Sequence, residues 1–174
     1  MYGEKNEPDG QPKSIIGVVI GPPNGELMNS EIDLAGRLAI VTGGAGGIGV
    51  ATTRLLARHG AKVLITDVNQ TAIDAALEKF ESENLKVFGF NTDVSDEAAT
   101  VSFFDEVGKT HGLADILVNN AAQVIHSPPH LTSLSEWERV LKTSMTSYFL
   151  YAREFAKRLI AAKRPGRLVN ISSI

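Results

Sequence analysis

LAIVTGGAGGIG, residues Leu38 to Gly49, joins a short aliphatic run to a helix-forming one through a turn with five glycines. Leu38-Ala39-Ile40-Val41 has the make-up of a buried parallel strand, and the residues after the turn continue as a helix through Leu55 and Leu56 to His59-Gly60. Gly43, Gly47 and Gly49 lack the Cβ that would obstruct a tight turn, a close approach to an anion and the packing of the helix on its strand. The helix aims its free N–H groups and the positive end of its dipole above the strand tip. A pyrophosphate fits there without a basic side chain.

A glycine cluster alone is only a turn; its surroundings give it a chemical meaning. Asp67 closes the next apolar run, Lys62-Val63-Leu64-Ile65-Thr66, and stands 24 residues after Gly43. At about 20 residues' offset, a carboxylate at the end of the second strand accepts hydrogen bonds from an adenosine ribose. The same charge repels a ribose 2′-phosphate, and neither Gly46 nor Val68 offers a cation to attract one. The expected cofactor is NAD rather than NADP.

With 174 residues and 43% hydrophobic content, the chain is long and apolar enough for one globular domain. A formal charge of -3 gives no electrostatic case for a nucleic-acid or anionic-membrane partner. Without cysteine there can be no disulfide, thiolate nucleophile or cysteine-ligated metal. That fits a reducing compartment, and the expected location is the cytoplasm.

Residues 1–33 read as a flexible extension ahead of an NAD-binding domain over 34–174. Gly, Pro and mixed charges fill Met1–Pro12, and the apolar run Ile15–Ile20 is too short to span a membrane. Glu4, Glu7 and Asp9 upstream are the wrong sign for a secretory signal. The run reads as an extra edge strand or an oligomer contact.

From Leu34 the pattern alternates. Ile73, Ala76, Leu77 and Phe80 recur at helical spacing, Lys86–Phe90 forms a third strand ending at Asp93, and Ser95 is the expected cap of a helix carrying Val101, Phe104 and Val107. Asp115–Val118 is a fourth strand. A long helix from about Leu134 has a capping box, Ser133 with Glu136, and a stripe of Trp137, Val140, Leu141, Met145, Phe149 and Phe155. Arg167–Ile171 is a fifth strand. The implied fold is α/β, a Rossmann-like doubly wound parallel sheet with right-handed crossovers.

Four motifs together resemble the short-chain dehydrogenases/reductases, in the non-extended branch. Thr42–Gly49, including Ile48, is similar to that family's TGxxxGxG; Asp93-Val94 resembles the pair beside the adenine; Asn119-Asn120-Ala121-Ala122 resembles NNAG with a final alanine; and RLVNISS, Arg167–Ser173, resembles the strand that delivers the active-site serine. The resemblance implies NAD held by Thr42, Gly43, Gly47, Ile48, Gly49, Asp67, Asp93, Val94 and Asn119 to Ala122. It further implies that Ser173 orients a small-molecule alcohol or carbonyl substrate, and that the complete protein is a homo-oligomer, with no nucleic-acid or membrane partner.

The family's chemistry also uses a tyrosine with a lysine four residues on, because an unassisted phenol titrates near about 10. Here Tyr2, Tyr148 and Tyr151 are followed at that spacing by Asn6, Ala152 and Phe155. The motif, another helix and two further strands are therefore expected beyond Ile174, and this polypeptide alone is expected to be inactive and marginally stable or aggregating. Where the family commonly has a relay asparagine in the long helix, the aligned residue is Ser144. The other functional class left open is a non-catalytic NAD-binding or interaction protein of the same fold.

Three further features take plainer readings. His126 and His130 have helical metal-ligand spacing, but Pro128-Pro129 between them favours a substrate-side loop without metal. Lys157, Arg158, Lys163 and Arg164 form a solvated helix end, and Tyr148, Phe149, Tyr151 and Phe155 pack as core or subunit interface.

Overall fold

Alternation of residues along β1 (Leu38–Thr42) divides the molecule into two layers, as seen in a computed structural model that describes residues 32–172. Leu38 and Ile40 face one hydrophobic cluster, while Ala39 and Val41 face another, and the whole strand is buried. A strand covered on both faces needs continuous apolar character, and the aliphatic run supplies it.

Around β1 lie β2 (Lys62–Asp67), β3 (Val87–Asn91), β4 (Ile116–Asn119) and β5 (Arg167–Asn170), all parallel in the order β3-β2-β1-β4-β5. Helices α1 (Gly47–Arg58) and α2 (Gln70–Ser82) contribute Ala57, Ala76 and Phe80 to the Ala39/Val41 layer. On the opposite face, α3 (Glu97–Thr110) and α5 (Ser147–Ala161) contribute Phe103, Phe104, Val107, Tyr151, Phe155 and Leu159. Strand order reverses direction between β1 and β4, so their carboxyl ends form the crevice where such sheets bind ligands.

The long helix expected from Leu134 is interrupted. After α4 (Leu134–Leu141), which carries the expected Ser133–Glu136 capping box, residues Lys142–Thr146 are π-helical before α5 begins. The extra residue of a π turn advances the following side chains by about 100° around the axis, so one stripe cannot run through it. α5 buries Leu150, Tyr151, Glu154, Phe155 and Leu159, whereas Trp137, Met145 and Phe149 are exposed. The aromatic group thus divides, with Tyr151 and Phe155 in the core and Phe149 at the surface. No helix among the described residues is long and apolar enough to cross a membrane. The extension's residues 1–31 and Ser173, the expected active-site serine, lie outside the described residues.

Candidate functional site

Thr42 ends β1 and anchors the crevice. Its buried Oγ1 accepts hydrogen bonds from the backbone N–H groups of Asn120 (2.9 Å) and Ala121 (3.0 Å), which ties the glycine turn to the end of β4. Asn120 answers in the other direction: its Nδ2 donates to the carbonyls of Thr42 (3.0 Å) and Gly43 (3.1 Å). Two neighbouring strand ends are thereby locked by four hydrogen bonds.

The expected glycines are needed for different reasons. A Cβ on Gly49 would stand 2.1 Å from the Gly43 oxygen, and one on Gly43 would stand 2.9 Å from Ala121 Cα. Gly47 instead adopts φ +46 in open space, a left-handed conformation that lets the chain turn into α1. Gly44, absent from the expected set, packs on β2: its N–H donates to the Thr66 carbonyl at 3.1 Å, and a Cβ there would lie 2.5 Å from Ile65. Pattern spacing marked Gly43, Gly47 and Gly49, but not the glycine required by packing on β2.

Helix α1 starts at this turn without compensation. Its N-cap, Gly46, provides no side-chain acceptor, and its first turn contains no acidic residue. The N–H groups of that turn therefore have no side-chain cap among the described residues and carry the positive end of the dipole. Ile48 projects into solvent beside them, 62% exposed. This end suits an anion, and the pyrophosphate of a dinucleotide matches it in charge and donor demand.

Asp67 lies at the end of β2, half-buried, with one oxygen accepting from the Asn69 N–H at 3.1 Å. Asp93 is exposed, and its Oδ1 accepts from both the N–H (2.9 Å) and the hydroxyl (2.7 Å) of Ser95. Ser95 is thus engaged by Asp93 rather than capping α3; Asp96 takes that place and accepts from Ala99 N–H at 2.8 Å. Val94 is buried in the α3/α5 layer, so only its backbone is available beside an adenine.

The asparagine pair stands at the end of β4, with both side-chain amides turned to protein acceptors. Asn120 Nδ2 faces the glycine turn, as above, and Asn119 is buried, its Nδ2 donating to Asn170 Oδ1 (2.9 Å) and the Tyr148 carbonyl (3.3 Å). A carboxamide placed between strand ends donates to the buried acceptors within reach, because leaving them unpaired is costly. Ala121 is half-buried and Ala122 exposed on the same crevice rim.

Ser144 falls within the π-helical stretch, and its hydroxyl serves both polar groups of one residue. It donates to the Gln123 carbonyl (3.1 Å) and accepts from the Gln123 N–H (3.0 Å). That hydroxyl is therefore a clasp holding the loop after β4 against the helix. One helical turn later, Tyr148 donates its phenol hydrogen to the Ile171 carbonyl at 2.9 Å. Burial raises the phenol pKa of both Tyr148 and Tyr151 above the ordinary value, so neither is poised to exchange a proton near neutral pH.

The remaining candidates play structural parts. Arg158 pairs with Glu154 and Asp105, and Arg164 meets Asp115 at 2.7 Å, so half of the basic cluster is engaged rather than merely solvated. His126 and His130 lie in the loop containing the short 3-10 turn Pro129–Leu131, and no metal-ligand cluster occurs among the described residues. A surface groove between β3 and α3 is lined by Phe90, Asn91, Ser102 and Glu106.

A family model described as short chain dehydrogenase matches residues 37–174. The gluconate 5-dehydrogenase of Gluconobacter oxydans is 33% identical over 141 residues, which cover 81% of this chain and 55% of that protein. The cis-4-hydroxycyclohexanecarboxylate dehydrogenase of Sinomonas cyclohexanicum is 38% identical over 141 residues, covering 80% and 56%. Among solved structures, a gluconate 5-dehydrogenase from Burkholderia cenocepacia, in complex with NADP and tartrate, superposes with a TM-score of 0.75 at 30% identity, covering 82% of this chain and 56% of that one. The chain spans about half the length of the curated relatives it matches. The glycine turn clasped to the end of β4, the strand order and this match over most of the sequence have one explanation: the chain belongs to the short-chain dehydrogenase/reductase family.

Proposed function

We propose that this chain forms the cofactor-binding part of an NAD-dependent oxidoreductase that interconverts an alcohol and a carbonyl. The observation that carries this reading is the uncapped N-terminus of α1 beside Asp67. The free N–H groups of Gly47, Ile48 and Gly49 would hold the pyrophosphate, Asp67 would accept from the adenosine ribose, and Asp93 and the backbone of Val94 would border the adenine. Thr42 and Asn120 keep the turn in place, while Asn119 sets the height of the β4 end and Ala121-Ala122 continue the wall. When bound, a nicotinamide dinucleotide supplies the hydride acceptor or donor.

Cofactor choice follows from charge. The Asp67 carboxylate disfavours a 2′-phosphate, and the turn presents no arginine or lysine to offset that repulsion. The NADP in the Burkholderia structure belongs to that protein; for this chain NAD is the better match. Replacing Asp67 by arginine should reverse the preference.

Ser173 would hold the substrate oxygen, and Ser144 shapes the loop after β4 through Gln123. Alcohol oxidation also releases a proton, and no tyrosine of the 174 residues has a lysine at the required spacing. This polypeptide by itself is therefore expected to bind NAD without turning over, as a cytoplasmic protein whose exposed Trp137, Met145 and Phe149 support homo-oligomer formation in the full-length protein.

Hydroxy acids are the substrate class to try first, since the two curated relatives named above are dehydrogenases of hydroxylated carboxylates. The test incubates the full-length protein with NAD and a panel that includes gluconate and cis-4-hydroxycyclohexanecarboxylate, following reduced nicotinamide by absorbance. Reduction dependent on Asp67 and Ser173 is the expected result. A full-length protein that binds no nicotinamide cofactor would refute the reading.

A further inference from the structure

Two side chains on one helical face reach two different strand ends. Ser144 and Tyr148 are four residues apart, a spacing that stacks side chains one turn above another. Ser144 grips Gln123 beyond β4, and Tyr148 reaches past β5 to the carbonyl of Ile171 at 2.9 Å. That carbonyl belongs to a residue held on its other side too, since the Ile171 N–H donates to the Asn119 carbonyl at 2.8 Å. Asn119 also donates to Asn170 Oδ1 at 2.9 Å and to the Tyr148 carbonyl at 3.3 Å, so β4, β5 and α5 meet in one hydrogen-bonded knot.

We propose that Tyr148 is a positioning residue for Ser173, its phenol O–H fixing the end of β5 two residues ahead of that serine. The inference rests on the reading of Ser173 given above. β5 is the outer strand of the described sheet, with all four residues exposed, so its end depends on few contacts: Ile171 packs against the Ala39/Val41 layer, and the Tyr148 hydroxyl fixes the Ile171 carbonyl directionally. A phenol is well suited to this role, because the rigid ring carries its hydroxyl far from the helix axis and burial keeps the hydrogen in place as a donor well beyond neutral pH. Phenylalanine keeps the ring and removes only the bond.

The experiment compares full-length wild-type protein with Tyr148→Phe, Ser173→Ala and the double variant, using the panel alcohol that is oxidised fastest. Loss of one neutral hydrogen bond should lower kcat of Tyr148→Phe by about three- to tenfold. Affinity for NAD should be unchanged, and the substitution should have no further effect in the Ser173→Ala background. Undiminished kcat in Tyr148→Phe beside an impaired Ser173→Ala would overturn the positioning role and spare the reading of Ser173. A fully active Ser173→Ala would remove that reading and the positioning role together. If no panel alcohol is oxidised, amide hydrogen exchange of the NAD-bound protein decides: faster exchange across 170–172 in Tyr148→Phe, with 42–49 unchanged, supports the role, and identical exchange overturns it.

Discussion

β1 and β5 are parallel strands of one sheet with opposite means of support. β1 is buried along all five residues, held by apolar layers on both faces, whereas β5 is exposed along all four. What fixes β5 is largely polar, Asn119 on Asn170, Tyr148 on Ile171 and Arg164 meeting Asp115 beside the start of the strand, with Ile171 just after it packing on the Ala39/Val41 layer. Among the described residues β1 is therefore set chiefly by packing, with a polar lock at its tip, and β5 leans more on hydrogen bonds. Packing tolerates almost no added volume, while hydrogen-bonded segments yield in small steps.

The sharpest way to break this contrast is to add the same methyl group at both ends. Gly49→Ala drives a Cβ against backbone, the Gly43 oxygen, and should destabilise the protein by about 3 kcal/mol while abolishing measurable NAD binding. Gly166→Ala near β5 meets side-chain atoms of Leu159 and Phe155, which can shift, so about 1 kcal/mol is expected. Urea unfolding measures both; equal losses would remove the distinction.

Next in size, Ile40→Ala on the fully buried face of β1 should lose about 3 kcal/mol, against under about 1 kcal/mol for Val169→Ala on β5. Thr42→Val then probes the polar lock of the packed side. It leaves two N–H groups, of Asn120 and Ala121, without their acceptor and should lose about 2 kcal/mol, with weaker NAD binding measured by calorimetry.

A smaller effect depends on pH. The hydrogen bond from Arg158 holds the Glu154 carboxyl below its ordinary value, against the opposing pull of desolvation. A folded-state pKa lower than the unfolded one contributes stability above the unfolded value and loses it as pH falls through the folded one. Wild type should therefore lose stability on acidification more steeply than Glu154→Gln, as read from unfolding midpoints across an acid series. Parallel curves would show that the Glu154–Arg158 pair, which links α5 through Arg158 to Asp105 on α3, contributes nothing.

The smallest predicted change is a gain. Lys163 closes the C-terminus of α5 at φ +52, where the Arg164 N–H reaches back to the Leu159 carbonyl at 3.0 Å. Glycine takes that left-handed position without the Cβ penalty, so Lys163→Gly should stabilise the chain by about 0.5–1 kcal/mol in thermal unfolding.

Sequence patterns were most informative where the backbone dictates composition. The apolar β1, the glycine turn, the acidic end of β2 and the Ser133–Glu136 box all report local geometry that only a few residue types satisfy. Orientation of polar side chains was not legible: Asn119 and Asn120 occupy the anticipated strand end, yet their amides bind protein carbonyls brought near by folding. The stripe from Trp137 to Phe155 failed for another reason, since a π turn leaves no compositional mark and shifts the phase of all that follows. Ser95 was eligible as a cap, but Asp96 won by standing directly before Glu97, where its carboxylate accepts from the Ala99 N–H. The contact from Tyr148 to Ile171 joins residues 23 apart and had no motif to announce it.

Calorimetric titration of the full-length protein with NAD and with NADP under identical conditions tests the central claim most directly. The account predicts that NAD binds at least about tenfold more tightly, the difference expected from setting a 2′-phosphate against the Asp67 carboxylate, and that Asp67→Arg inverts the order. Tighter binding of NADP by the wild-type protein, or no binding of either dinucleotide, would contradict it.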